Sequence, residues 1–192
     1  ALQYVNLYLK KAKNENNYAV LKQAFEDYSY YSADKKSKLN YADSALIAAK
    51  KTKDNDLLSS SYLYKGSLYY FYFKNYQSAL TEYLLAYQVS KNGKSEYLKY
   101  KITYQIGLVK SYLGYYDEAL EHFKECLSYF EPKTKGDNYS SNLKYNAKKG
   151  YLNRVNSIRG GGGSSAEHLS LKKKKRRGRK KKKIVLISTV WI

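Results

Sequence analysis

His122 and Cys126 stand four residues apart in Glu121-His-Phe-Lys-Glu-Cys126, a spacing that sets both side chains on one face of a helix. Imidazole and thiol so placed are the raw material of a Cys-His nucleophile. That chemistry also needs a thiolate held against its base and a third group to orient the base. Cys126 is the sole cysteine, and His168 is the sole other histidine. The four clustered ligands of a zinc site are missing too. Asp117, Glu118, Glu121 and Glu125 crowd the same segment beside Lys124. In the first turns of a helix such carboxylates complement the dipole and face solvent. Cys126 therefore reads as a packing thiol and the acidic group as a solvated face. No catalytic residue, cofactor or metal site is assigned.

Two binding chemistries remain, aromatic and basic. The chain carries 25 tyrosines and 36 Lys plus Arg against 16 Asp plus Glu, a formal charge of +20. The charge is uneven, for eleven basic residues lie in one run: Lys172, Lys173, Lys174, Lys175, Arg176, Arg177, Arg179, Lys180, Lys181, Lys182 and Lys183. Dense Lys and Arg of this kind release counterions from nucleic acid or attract an anionic membrane. Without interleaved aromatics or a fold, the run is not expected to read base sequence. The other 25 basic residues are spread along the chain, a moderate excess for a Lys-rich domain.

The elements that must position the tyrosines are helices. Hydrophobic residues make up 43% of the 192 and proline occurs once, at Pro132, so a core is affordable in composition and the long polar-apolar stretches lack a helix breaker. The aromatics sit among Ala, Leu, Lys and Glu at intervals of three and four, which outweighs their strand propensity. Two segments read alike, Gly66 to Ala86 and Gly107 to Cys126. In each a small residue precedes a turn, a tyrosine (Tyr76, Tyr116) comes three before an alanine (Ala79, Ala119), and an aromatic and a small residue follow by four and seven (Tyr83 and Ala86, Phe123 and Cys126). This resembles the helix pair of a tetratricopeptide repeat, in which the small residue lets two antiparallel helices approach. The interval from Ala79 to Ala119 is 40 residues, longer than the usual period of about 34. Gly150 marks the first helix of a further repeat. Upstream, Asn17 to Ser32 and Asp34 to Lys53 read as a diverged pair, with Val20, Leu21, Ala24, Phe25 and Tyr28 on one face and Leu39, Ala42, Leu46 and Ala49 on the next. Asp34 and Asn138 are expected helix N-caps.

The stretches Tyr41-Ala-Asp-Ser-Ala45, Ala48-Ala-Lys-Lys-Thr-Lys53, Tyr62-Leu-Tyr-Lys-Gly66, Ala79-Leu-Thr-Glu-Tyr-Leu84, Tyr97-Leu-Lys-Tyr-Lys101 and Lys110-Ser-Tyr-Leu-Gly-Tyr-Tyr-Asp-Glu-Ala119-Leu120 resemble the tetratricopeptide region of AraC-type or LuxR-type regulators from Flavobacteria-like bacteria. The similarity spans roughly residues 17 to 155. It implies a sensor or interaction module in a bacterial cytoplasm or periplasm, usually followed by more repeats, a transmembrane helix and a DNA-binding helix-turn-helix. Nothing after about Asn153 matches that DNA-binding domain.

The expected fold is thus an all-α solenoid of about seven helices over residues 1 to 159. A Gly/Ser linker at 160 to 165 and a basic low-complexity tail at 166 to 192 follow. The apolar end Ile184 to Ile192 has nine residues, far short of the roughly 20 that span a bilayer. A groove for a protein or peptide ligand is expected along the first helices, at Tyr64, Leu68, Phe71 and Tyr72 and then Tyr104, Leu108, Ser111 and Tyr112. Repeats that clamp acidic C-termini use Lys and Asn where Tyr64, Leu68, Tyr104 and Leu108 stand, so that clamp is not expected. The alternative partner is a polyanion on the tail. If the repeat register is right, Ala119→Leu overpacks a helix pair and costs roughly 1 to 3 kcal/mol. An unchanged thermal melt would refute the register.

Overall fold

The structure, a computed structural model, describes residues 2–130 and 138–159. Eight α-helices follow one another: α1 (Leu2–Asn14), α2 (Tyr18–Tyr31), α3 (Lys35–Thr52), α4 (Asn55–Leu68), α5 (Tyr76–Ser90), α6 (Glu96–Leu113), α7 (Tyr116–Phe130) and α8 (Asn138–Arg159). A π-helical turn, Tyr69–Phe73, extends α4, and no strand occurs among the described residues. The chain divides into two compact units, Ala1–Leu152 and Asn153–Ile192. Asn153–Arg159 is the described part of the second. The expected linker and basic tail lie outside the described residues.

Five of the helix starts have a sequence cause. The side chains of Asn17, Asp34, Asp54, Asn75 and Ser95 accept from backbone N–H groups of the first turns of α2 to α6, satisfying donors that have no partner inside the helix. Asn17, Asp34 and Lys53 bound the first pair where the sequence places its ends, and Asn138 is the first residue of α8. Asp56 ties neighbouring pairs together. Its carboxylate accepts from Lys94 N at 3.1 Å and Ser95 N at 3.1 Å, and Asn55 Nδ2 donates to Asn92 O at 3.0 Å.

From α1 to α7 each helix packs on the next along the chain, and α2 touches α4 as α4 touches α6. The contacts repeat with the sequence. Ala42, Ala79 and Ala119 are fully buried on the second helices, followed at i+4 by Leu46, Tyr83 and Phe123 and at i+7 by Ala49, Ala86 and Cys126, all buried. Opposite Ala79 and Ala119 stand Gly66 and Gly107 on the first helices, small and buried, and the buried Ser29 of α2 donates to Lys38 O of α3 at 2.8 Å. A Cβ on Gly66 would lie 3.3 Å from Ala79 O, and one on Gly107 would lie 3.3 Å from Ala119 O. Ala79 and Ala119 thus occupy equivalent environments, as the repeat requires.

The structure differs from expectation at its start. Its described residues form eight helices where about seven were expected, because α1 was not assigned. Its buried Val5, half-buried Leu9 and buried Ala12 follow the same 4-then-3 spacing as Ala42, Leu46 and Ala49, while exposed Tyr4 and Leu7 blur the stripe. Gly150, expected on the first helix of a further repeat, lies on α8, where its Cβ would meet the Phe123 ring at 2.9 Å. Gly66 precedes Ala79 by thirteen residues and Gly107 precedes Ala119 by twelve, and the extra residue is absorbed by the π turn. The 40-residue interval comes mainly from the connection Lys91–Ser95, where two residues, Lys53 and Asp54, join α3 to α4.

These close approaches are testable. A methyl group at Gly66 would stand 2.5 Å from Tyr83 Cε1, whose ring is fully buried, whereas at Gly107 the nearest atoms are 3.1 Å away. Alanine gains up to about 1 kcal/mol in helix propensity at either site. Gly66→Ala should therefore lose roughly 1 to 3 kcal/mol net through overpacking, while Gly107→Ala stays within about 1 kcal/mol of the parent. Equal thermal shifts for the two variants would contradict the packing.

Candidate functional site

The turns that join each first helix to its second carry a row of aromatic side chains. Helix α2 closes on Tyr30 and Tyr31, both exposed, with ring centroids 5.1 Å apart and edge-on. The π turn brings five aromatics in succession. Among them Tyr70 is buried, while Phe71 and Tyr72 are 37% and 39% exposed. Near the end of α6 comes Tyr112, 49% exposed, and exposed Tyr115 and Tyr116 follow. Tyr70 joins the second turn to the third. Its ring lies 4.7 Å from Phe71, 5.6 Å from Tyr76 and 5.6 Å from Tyr112, and Tyr76 stacks on Tyr112 at 5.0 Å. Burial, and then a hydrogen bond with Tyr112, hold the Tyr70 phenol well above its ordinary pKa. Tyr72 is raised by burial and by its neighbour Tyr30.

Three ammonium groups sit over these rings. Lys38, a buried residue, donates from Nζ to Ser29 O at 2.9 Å and Tyr30 O at 2.7 Å, and lies 4.8 Å from the Tyr72 centroid. It brings positive charge to the C-terminal carbonyls of α2, where the helix dipole is negative, and the ring adds a cation–π contact. Burial lowers its pKa. Lys35 lies 5.9 Å from the Phe73 ring, and Lys74 lies 6.0 Å from both Tyr70 and Phe71. Among the described residues, none of the three is ion-paired with a carboxylate.

The expected groove residues are sorted differently. Phe71, Tyr72 and Tyr112 are exposed and belong to the aromatic row. Tyr64 and Leu68 are interior, clustered with Ala42, and the Tyr64 hydroxyl donates to Glu26 O at 3.1 Å. Ser111 is buried as well. Tyr104 is half-buried against Phe123, ring centroids 5.9 Å apart, and burial pushes its hydroxyl up to about 12. Leu108 packs on the core around Tyr83 and Ile106. Helical periodicity grouped Tyr64 with Leu68 and Tyr104 with Leu108 but did not say which face turns inward. Tyr30, Tyr31, Tyr70 and Lys38 were missed. For Tyr70 the one-residue excess before Ala79 was the signal, marking an irregular turn; Tyr30, Tyr31 and Lys38 had none. Lys172 to Lys183 lie outside the described residues.

The Cys-His pair is pulled apart in role. Cys126 Sγ donates to Tyr100 O at 3.5 Å, and burial pushes the thiol far up, so it is a packed, inert group. His122 is held below its ordinary pKa by burial and then by Lys110, against opposing pulls from Glu118 and Glu121. Among the described residues no group of three His, Cys, Asp or Glu is placed to hold a metal ion. No described helix is long and apolar enough to cross a membrane.

Fold and site together define an all-helical protein of repeated, packed helix pairs with an aromatic and basic turn edge. No family model matches the chain, and no curated protein matches it.

The depressed His122 pKa carries a sign. A folded-state pKa below the unfolded value of 6.5 means that His122 contributes stability above that pH and loses it as pH falls through the folded pKa. Thermal midpoints at pH 7.5 and pH 5 should therefore fall further for the parent than for His122→Gln. Equal losses would show that His122 does not drive the acid sensitivity of the α6/α7 pair.

Proposed function

We propose that the chain is a tetratricopeptide-type solenoid module, of the kind found in bacterial regulators, that binds a protein or peptide and catalyses no reaction. The observation that carries this reading is the row of exposed rings on three successive turns, Tyr30 and Tyr31, Phe71 and Tyr72, and Tyr112 with Tyr115. Tyrosine offers large contact area at low conformational-entropy cost with a polar tip, and rings anchored by neighbouring rings are ordered before a ligand arrives. The contacts of α2 with α4 and of α4 with α6 support a stacked arrangement that would align the turns along one edge. The second reading, polyanion binding through the tail, rests on the eleven Lys and Arg of Lys172 to Lys183.

The two readings separate in one experiment. Partners are captured from lysate at low and high salt with the parent, with Phe71→Ala/Tyr72→Ala, and with a chain lacking residues 160 to 192. Removing two exposed anchors should weaken a cognate partner by more than about 2 kcal/mol and leave the fold intact. Polyanion binding should vanish with the tail and fall steeply with salt. Loss of binding in the tail deletion alone would replace the first reading with the second.

A further inference from the structure

We propose that the π turn, together with the start of α3, is a docking site for an acidic peptide; this rests on the reading of the chain as a peptide-binding module. The argument is electrostatic. Lys35, Lys38 and Lys74 stand over the rings of Phe73, Tyr72, and Tyr70 with Phe71, and exposed Lys36 adjoins them. The nearest carboxylate in sequence, Asp34, is committed to the N-terminus of α3, accepting from Ser37 N at 2.8 Å and Ser37 Oγ at 2.9 Å. Four cations thus gather where one carboxylate is already engaged. An aromatic ring is negative on its face and positive at its edge. Lys35, Lys36 and Lys74 are exposed and none is ion-paired with a carboxylate among the described residues, so their charge is open to the carboxylates of a ligand.

The same geometry disfavours nucleic acid. Single strands bind by stacking bases on open ring faces, but the Tyr72 face holds Lys38 at 4.8 Å and Tyr70 is enclosed by Phe71, Tyr76 and Tyr112. The site also differs from a clamp on the first helices, since Tyr64 and Leu68 are interior. An extended peptide could set carboxylates against Lys35, Lys36 and Lys74 and an apolar side chain beside Phe71.

The test is fluorescence anisotropy of a labelled glutamate-rich peptide carrying one leucine, titrated with the full chain. Lys35→Gln/Lys74→Gln should weaken it about tenfold, and Phe71→Ala should weaken it as well. Lys148→Gln/Lys149→Gln, which removes as many exposed charges from α8, should leave it unchanged. The same peptide with glutamine for glutamate should not bind. Equal losses from both lysine pairs, or no binding of the glutamate peptide, overturn the proposal. So does a greater dependence on Lys35 and Lys74 for an oligothymidylate or for phosphatidylserine vesicles than for the peptide. Should Phe71→Ala/Tyr72→Ala abolish capture of a lysate partner while the glutamate peptide is ignored, the module reading stands and the acidic-peptide inference alone falls.

Discussion

The fold depends on one recurring contact, the close approach of two helices where a side chain has been reduced to almost nothing. Gly66 and Gly107 each allow a second helix to bring Ala79 or Ala119 against the first. The next inward residue of that second helix, Tyr83 or Phe123, then fills the space beside the gap. Tyr83 is the clearest case. Its ring occupies the volume that a Cβ on Gly66 would need, is wholly buried, and satisfies its hydroxyl with Ser67 Oγ at 3.2 Å. Phe123 is gripped from two sides, with Gly107 of α6 and Gly150 of α8 both against its ring. Interiors packed at crystal-like density register an added methyl group, so these positions set the spacing between helices and with it the direction in which each turn points.

Charge is buried around this apolar register, and it fixes alignment more than it adds stability. Lys65 of α4 reaches Asp43 of α3 at 2.9 Å and Glu82 of α5 at 3.0 Å. Burial lowers its pKa, but the two carboxylates more than offset that and hold it high. Between α2 and α4, Glu26 accepts from Lys22 at 3.0 Å and from Ser61 at 3.4 Å, yet burial still outweighs both and leaves its carboxyl raised. The desolvation cost of such a pair rivals its Coulombic gain. Sliding α4 along α3 or α5 would strand the Lys65 charge, so that network penalises misregister, whereas Lys22 and Glu26 share α2 and only the Ser61 hydrogen bond ties them to α4.

How much of this was legible in the sequence depended on whether a feature repeats. The cap at Asp34, the bounds of α2 and α3 and the equivalence of Ala79 with Ala119 follow from local chemistry and a period, and both can be counted, whereas Asn138, expected as a cap, is the first residue of α8. Helix α1 went unassigned because exposed Tyr4 and Leu7 interrupt its stripe, although Val5, Leu9 and Ala12 keep the spacing of the later second helices. Part of the expected groove lies inside for another reason. Tyr64 and Leu68 share a face, as their spacing says, but that face meets Ala42 of the preceding helix, and only the three-dimensional stack decides which side is inside. Lys38 was illegible, because its partners are backbone carbonyls at Ser29 and Tyr30, and no pattern of side chains announces a bond to a main-chain oxygen.

The aromatic and basic turn edge arises where two neighbouring pairs resolve the same interval differently. Thirteen residues separate Ser29 from Ala42, and thirteen separate Gly66 from Ala79. In the first pair α2 stops early at Tyr31 and α3 begins early at Lys35, leaving the carbonyls of Ser29 and Tyr30 for a side chain to close. In the second pair the helix runs on through the π turn to Phe73, carrying its rings past the point where α2 has ended. Lys38 fills both needs at once, capping the short helix and covering Tyr72 of the long one. Lys35 and Lys38 of the first pair thus lie over rings of the second, and the seam between them is both cationic and aromatic.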